Sequence, residues 1–203
     1  MIRILHVSAH ENLFHEYYKN FDDDNIVFDY VLRDGGEDFK FKNELDNRSK
    51  LYYLTPLQSN WFKFTLELRK TIKSENYKYI HLHLSYANIL GIIASVFTGT
   101  RVIAHNHSTY KPRNFSMFIL RKLILKPVIN FFSDHTLACS TQAGSEMFYK
   151  FEIIPNSIDY EKFSFSQNHR NKIREQFDIS DETFLIGHVG HFMLIKNHDF
   201  FIN

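Results

Sequence analysis

The chain has 203 residues, with 24 Lys plus Arg against 23 Asp plus Glu and 44% hydrophobic residues, a composition typical of a soluble globular protein of one or two domains. Its 7 Gly, 4 Pro and 16% aromatic residues exclude collagen-like, low-complexity and disordered classes. The single cysteine, Cys139, excludes a disulfide framework and favours a reducing, cytoplasmic compartment.

Two segments resemble membrane signals only superficially. The first ten residues contain one basic residue and a very short apolar stretch, which does not suit a signal peptide. Residues 79–100 carry no formal charge and are long enough to span a bilayer, but they include His81, His83 and Asn88. We therefore expect a strand, a polar loop and a helix there, in a cytoplasmic protein that is at most peripheral to the inner face of the plasma membrane.

Positive charge is concentrated in one part of the sequence. No acidic residue occurs between Glu75 and Asp134, whereas seven basic residues do. A one-signed block of this kind indicates an anionic partner, such as a nucleic acid, a membrane surface or a phosphorylated substrate. The seven residues are Lys78, Arg101, Lys111, Arg113, Arg121, Lys122 and Lys126.

Short β-rich runs alternate with helical periodicity along most of the chain. This alternation predicts an α/β fold, a Rossmann-like parallel sheet with helices on both faces, because parallel strands need crossover connections. Ligands of such sheets bind beyond the carboxyl ends of the strands. The expected strands are 3–8, 26–33, 50–54, 79–83, 101–105 and 135–138, and the expected helices are 11–21, 58–74, 87–98 and 114–130.

A second α/β domain is predicted to begin near the end of the sequence. Residues 1–152 form the first predicted domain, and residues 153–203 form a linker and the truncated start of the second. Within this second part we expect a polar helix at 167–177, a strand at 183–188 and a helix from about residue 197.

Two His-x-His pairs lie at the ends of neighbouring predicted strands. Residues two apart on a strand share a face, so His81 with His83, or His105 with His107, could bind Zn²⁺. The acid-free block offers no nearby carboxylate, which disfavours a metal hydrolase. We interpret His81 as a buried strand residue with a hydrogen-bonded imidazole, and His107, in a polar loop, as the functional member.

Two further segments have competing interpretations. Asp22-Asp23-Asp24 could bind a divalent cation, but its place at the start of a strand favours a turn. The predicted helix at 114–130, which Pro127 should kink or end, is either a core helix with a solvated basic edge or an interfacial helix on anionic lipid. Single-stranded nucleic-acid binding has no supporting motif. The basic residues that would face the membrane are Arg113, Arg121, Lys122 and Lys126.

Neither Gly-x-Gly-x-x-Gly nor a P-loop occurs, but small residues follow the predicted strand at 183–188. The segment Gly187-His188-Val189-Gly190-His191, with Lys196 close behind, could bring backbone amides and one positive charge to a phosphate.

Taken as an ordered set, six segments resemble family-four glycosyltransferases, more narrowly those of bacterial capsule and exopolysaccharide synthesis. The resemblance runs over nearly the whole chain. Its segments are Ile4-Leu5-His6-Val7, Ile80-His81-Leu82-His83 with Ser85-Tyr86-Ala87, Ile103-Ala104-His105-Asn106-His107, Leu137-Ala138-Cys139-Ser140, Ile154-Pro155-Asn156-Ser157-Ile158-Asp159, and Gly187-His188-Val189-Gly190-His191-Phe192 with Lys196-Asn197-His198.

The resemblance implies a GT-B architecture, an acceptor domain followed by a nucleotide-sugar domain, with retention of anomeric configuration and no metal cofactor. It implies that His107, or His105 as the alternative, faces the donor sugar. It further implies a nucleotide-sugar donor, a lipid-linked saccharide acceptor and an anionic membrane surface as partners, and no nucleic acid. The implied donor-binding residues are Gly190, His191 and Lys196, and the implied acceptor-binding residues are Ser85, His105, Asn106 and Ser140.

The sequence departs from the family pattern in three places. Ser8-Ala9-His10-Glu11 replaces the glycine pair after the first strand, and His191 stands where an arginine is usual. The paired-glutamate motif of the second domain would lie beyond Asn203, so we expect the chain alone not to turn over donor. The alternative function is a non-catalytic remnant that binds anionic lipid or a partner chain.

Overall fold

The structure is a computed structural model that describes residues 1–8, 25–32, 47–109, 114–157, 160–190, 192 and 196–202. It divides into two compact units, Met1–Ile158 and Asp159–Asn203. The expected helix at 11–21 and the Asp22-Asp23-Asp24 turn lie outside the described residues.

The first unit is built on a seven-stranded sheet in which every neighbouring pair is parallel. The strand order is β3-β2-β1-β4-β5-β6-β7. This confirms the predicted Rossmann-like α/β class. The strands are β1 Ile2–Ser8, β2 Ile26–Leu32, β3 Leu51–Tyr53, β4 Tyr79–His83, β5 Arg101–Asn106, β6 His135–Ala138 and β7 Glu152–Ile153.

Strand β7 was not expected from the sequence. It pairs with β6 through Leu137 and Glu152, so the sheet continues past residue 152, where the sequence placed a domain boundary. Two residues are too short for an alternating pattern to be recognisable. The first unit accordingly extends to Ile158.

Helix α1, Trp61–Glu75, supplies much of the core. It starts where the Asn60 side chain accepts a hydrogen bond from the Lys63 amide, and it ends at Asn76 in the left-handed conformation. Phe64, Leu68 and Ile72, spaced four residues apart, are buried on one face. They pack against one face of the sheet, which presents Leu5, Val7, Ile80, Leu82, Val102 and Ala104.

The other helices described in the first unit follow β4, β5 and β6. No helix among the described residues is long and apolar enough to cross a membrane. The helices are α2 Asn88–Ser95, α3 Phe115–Leu120, α4 Lys126–Phe132 and α5 Thr141–Met147, and α5 was not among the predicted ones.

Pro127 does not end the helix predicted at 114–130. A π-helical turn, Arg121–Leu125, joins α3 to α4, and Pro127 lies in the first turn of α4. A proline lacks the amide hydrogen and crowds the carbonyl four residues earlier, which a widened turn accommodates. The helical path therefore continues through Pro127 to Phe132.

The second unit contains α6 Tyr160–Phe163, α7 Gln167–Gln176 and α8 His198–Ile202. The predicted strand at 183–188 is wrong, because these residues form no regular element. Their apolar side chains are exposed, Phe184 by 88%, and the described residues provide no strand to pair with them. A strand forms only where a neighbour takes up its backbone hydrogen bonds.

Asp29 is fully buried at the centre of a polar network on β2. Its carboxylate accepts hydrogen bonds from Arg3 Nε at 2.8 Å, from the Tyr77 hydroxyl at 2.5 Å and from the Lys50 amide at 2.7 Å. Burial and the Asp29 carboxylate raise the pKa of Tyr77, so its phenol stays protonated and donates. The network connects β1, β2 and the turn that follows α1.

Asp29→Asn should lower the free energy of unfolding by about 3 kcal/mol, because it leaves the Arg3 guanidinium without its buried counter-charge. Urea unfolding followed by circular dichroism measures the loss. Glu75→Gln, which removes an exposed ion pair with Lys50, is the matched control and should leave the stability nearly unchanged. Equal losses in the two variants would contradict a structural role for the network.

Candidate functional site

Five histidines share one face of the sheet, at the carboxyl ends of its central strands. His6 on β1 is in register with His81 on β4, and residues two apart on a strand point the same way. The strand alternation therefore adds His83 and His105 to the same face, and His107 follows directly after β5. We call His6, His81, His83, His105 and His107 the histidine cluster.

Three members of the cluster form a hydrogen-bonded chain that ends at Asn156. His6 Nδ1 lies 3.2 Å from His83 Nε2, and His83 Nδ1 lies 2.9 Å from His107 Nε2. His107 Nδ1 lies 2.9 Å from Asn156 Oδ1. Because an amide oxygen only accepts, His107 Nδ1 donates, and its Nε2, in the neutral ring, accepts from His83 Nδ1. Each ring in the chain thus carries its proton on Nδ1.

The other two members pair with each other. His105 Nδ1 lies 3.3 Å from His81 Nε2, and the two rings are nearly parallel. The hydrogen-bonded imidazole predicted for His81 is thereby confirmed, although its side chain is only partly buried. The His105 ring also lies beside the His107 ring, with 3.9 Å between the ring centroids.

Burial keeps the inner imidazoles neutral. Burial, together with smaller contributions from neighbouring histidines, lowers the pKa of His6 to about 3 and that of His105 to about 2. The pKa values of His81 and His83 also lie well below the usual value, chiefly because of burial. Neutral rings can donate hydrogen bonds to one another, whereas cationic rings packed side by side would repel each other.

His107 is the member that the fold presents at the ligand-binding edge. The His105 side chain is 2% exposed, whereas His107 is partly exposed in the loop beyond β5. Ligands of parallel sheets bind at this edge. The geometry favours His107 over the alternative, His105, for contact with a ligand.

The residues expected to bind acceptor have varied surroundings. The buried Asn106 amide donates to the carbonyls of Ala143 at 2.7 Å and Ser108 at 3.0 Å, so it holds the loop after β5 against α5. Ser140 caps α5 through its hydroxyl. Ser85 is partly exposed and has a φ of 56°, a left-handed backbone conformation.

Two of the three expected donor-binding residues lie together in the second unit. A Cβ atom at Gly190 would come within 3.6 Å of the Lys196 side chain, and both residues are exposed. His191 lies outside the described residues.

The basic residues expected to face a membrane differ in their contacts. Lys126 donates to the Ser145 carbonyl at 2.8 Å, near the carboxyl end of α5, which favours a positive charge. Arg121 lies 4.6 Å from the centre of the Tyr86 ring, whereas Lys122 is exposed. Arg113 lies outside the described residues.

Sequence reasoning missed two members of the site. His6 gave a weak signal, a polar residue in the middle of an apolar strand, and it was quoted only as part of the family resemblance. Asn156 gave no signal from spacing, because it lies 49 positions from the His107 that it contacts. The sequence left open whether the helix predicted at 114–130 lies in the core or at an interface, and its residues Phe115 and Leu123 are exposed in the structure.

Comparison with known proteins decides the family. The sequence model of Glycosyltransferase Family 4 matches residues 11–162, which is most of the chain. The chain belongs to glycosyltransferase family 4. The resemblance read from the six segments is thereby confirmed.

Two curated relatives match the family-4 chain at low identity. It is 24% identical to the "Putative glycosyltransferase EpsF" of Bacillus subtilis (strain 168), over 98% of this chain and 56% of that protein. It is 23% identical to the UDP-Gal:alpha-D-GlcNAc-diphosphoundecaprenol alpha-1,3-galactosyltransferase of Escherichia coli, over 77% of this chain and 44% of that protein. The chain thus spans about half the length of these relatives.

Solved structures show the same fold. The crystal structure of Anabaena Alr3699/HepE in complex with UDP-glucose matches with a TM-score of 0.63 at 18% identity, covering 89% of this chain and 51% of that one. Acinetobacter baumannii MurG matches with a TM-score of 0.52 at 8% identity, covering 83% and 47%. The Rossmann-like sheet of this chain is thus that of GT-B glycosyltransferases.

Stability should fall in mild acid because His6 is buried as a neutral ring. Its folded pKa of about 3 lies below the ordinary value near 6.5, so the folded state binds fewer protons. The contribution of neutral His6 to the free energy of unfolding is complete above about pH 6.5 and is lost as the pH falls towards 3. Between pH 7.5 and 5.5, the free energy of unfolding of His6→Gln should therefore fall by roughly 1.4 kcal/mol less than that of the wild type. Urea unfolding at the two pH values measures both changes.

The matched control is His135→Gln, at an exposed position on β6. It removes one histidine outside the cluster, so its loss of stability over the same pH range is the reference for His6→Gln. A His6→Gln variant as acid-sensitive as this control would show that His6 takes up its proton without unfolding.

Proposed function

We propose that this chain is the acceptor-side part of a retaining glycosyltransferase, which transfers a hexosyl group from a nucleotide sugar to a saccharide or lipid-linked acceptor in surface polysaccharide synthesis. The observation that carries the proposal is the position of His107, held at the carboxyl edge of the sheet between His83 and Asn156. The family, the UDP-glucose complex of the Anabaena protein and the lipid-diphosphate substrate named for the Escherichia coli enzyme support it.

In this proposal His107 orients the donor sugar. Both of its ring nitrogens are engaged in the structure, so contact with a sugar requires one hydrogen bond to be exchanged. The bond to Asn156 is the exposed one. His83 would hold Nε2 in place while the Nδ1 proton turns from Asn156 to a sugar hydroxyl. The departing diphosphate would be stabilised by Lys196 and by backbone amides near Gly190, without a metal cofactor.

We further propose that the chain is inactive alone. The chain spans only 56% and 44% of the two curated relatives. Phe184 and Phe192, large apolar side chains of the second unit, are almost wholly exposed. Apolar side chains of this size are normally covered, which favours a further protein surface over them.

His107→Ala should reduce hexosyl transfer about 100-fold or more, since it removes a hydrogen bond that positions the reacting sugar. The assay mixes the chain with a separately expressed nucleotide-sugar domain of a family-4 enzyme, with UDP-glucose or UDP-galactose as donor. His135→Ala is the control and should transfer at the wild-type rate. Transfer by His107→Ala at the control rate would refute the role assigned to His107. Transfer by the chain without the added domain would refute the proposal that the chain is inactive alone.

We propose that the exposed side of α3 and the π-helical turn rests on an anionic membrane surface, where a lipid-linked acceptor resides. Phe115 is 76% exposed and Leu123 is 62% exposed, and Lys122 lies between them in the sequence. Apolar side chains next to the exposed Lys122, whose ammonium group lies 5.5 Å from the centre of the Phe118 ring, suit the boundary between acyl chains and anionic head groups. Lys126, already bonded to α5, contributes less.

Lys122→Glu should weaken binding to vesicles that contain phosphatidylglycerol by about fivefold or more, because each basic residue near the surface contributes about 1 kcal/mol. Co-sedimentation at low salt measures it. Lys70→Glu, an equal charge change at an exposed position of α1, should bind like the wild type. Equal binding of Lys122→Glu and Lys70→Glu would remove α3 and the π-helical turn as the membrane contact.

A further inference from the structure

We propose that His83, His105 and His107 form a binding site for a divalent transition-metal ion of the Zn²⁺ type. One ring nitrogen from each of the three lies within 4.8 Å of the other two. His83 Nδ1 and His107 Nε2 are only 2.9 Å apart. Two nitrogens bound to one tetrahedral Zn²⁺ lie about 3.3 Å apart, so ring movements of about 1 Å would admit an ion between them once the proton of His83 has moved from Nδ1 to Nε2.

The surroundings of the three rings match those of metal-bound imidazoles. A ligating histidine usually has its second ring nitrogen hydrogen-bonded to a partner that fixes the ring. His83 Nε2 lies against His6, His107 Nδ1 against Asn156 and His105 Nδ1 against His81. The outer partners that a metal site needs are therefore in place, and the hydrogen bond between His83 and His6 reverses its direction when the proton of each of these two rings moves from Nδ1 to Nε2.

The donor atoms define the kind of ion. All three ligands are imidazole nitrogens, which suit Zn²⁺, Cu²⁺ and Ni²⁺, whereas Mg²⁺ and Ca²⁺ require oxygen ligands. The sequence argued against a metal hydrolase because carboxylates are absent from this segment, and that argument does not apply to a purely nitrogen site. The partly exposed His107 provides the route by which an ion reaches its two buried partners.

Metal binding at this site goes beyond the proposed function and does not depend on it. One consequence does rest on the proposed function: an ion held by His107 would occupy the ring that we assign to the donor sugar, and so would inhibit transfer. The binding experiment needs no activity, so the failure of one proposal is distinguishable from the failure of the other.

The test uses the full chain, freed of metal with a chelator and titrated with ZnCl₂ by isothermal calorimetry. We expect one ion per chain, and with CoCl₂ the visible absorption bands of a nitrogen-ligated tetrahedral site. His107→Asn should weaken binding at least about 100-fold, since it removes one of three ligands. His135→Asn, outside the cluster, is the control and should bind like the wild type.

Circular dichroism without metal checks that His107→Asn is folded, which its partly exposed position favours. His105→Gln, compared at the same temperature, should also lose the site. Absence of saturable binding to the wild type would overturn the proposal. So would unchanged binding in His107→Asn, or binding lost only in His6→Asn, which would assign the ion to the neighbouring trio of His6, His81 and His83.

Discussion

The constraint on which the site depends is the placing of five imidazoles on one largely buried face of a parallel sheet. Buried polar groups need partners, and several buried cations side by side would repel. In the chain from His6 through His83 to His107, neutral rings donate to one another without repulsion, and the chain ends at Asn156 because an amide oxygen only accepts. The buried Nε2 of His105, outside this chain, has no hydrogen-bond partner among the described residues. The position of His107 is therefore set by the interior of the sheet as well as by its own loop.

The two faces of the sheet bury different kinds of side chain. One face presents Leu5, Ile80 and Leu82 to α1, where side chains pack without hydrogen bonds. The strand alternation that places these residues on one side places His6, His81 and His83 on the other. Asp29, buried with Tyr77 and Arg3, adds a polar anchor beside the apolar core. The histidine cluster thus rests on a rigid support, which is the usual arrangement for a functional site.

Sequence periodicity predicted the sheet well and the site only in part. Strands β4 and β6 have the predicted bounds, because apolar residues between turn signals define buried strands. The strand predicted at 183–188 was wrong. A strand needs a neighbouring strand to pair with, and the pattern within one segment does not show whether such a neighbour exists. His107 was found from its loop after a strand, whereas Asn156 required knowing which distant segment crosses the edge of the sheet. Local sequence patterns predict local structure, whereas contacts between distant segments can be identified only once the fold is known.

Proton, ion and sugar would compete for the two nitrogens of His107. In the structure His107 Nε2 accepts a hydrogen bond from His83, and His107 Nδ1 donates one to Asn156. An ion at Nε2 would replace the hydrogen bond from His83, whose proton would move to its own Nε2, and a sugar hydroxyl would accept the hydrogen bond that Asn156 accepts in the structure. Because both hydrogen bonds belong to one rigid ring, a ligand at Nε2 fixes the direction in which Nδ1 points. The buried partner of His107 therefore decides how its exposed side meets a ligand, which links the interior of the sheet to the chemistry at its edge.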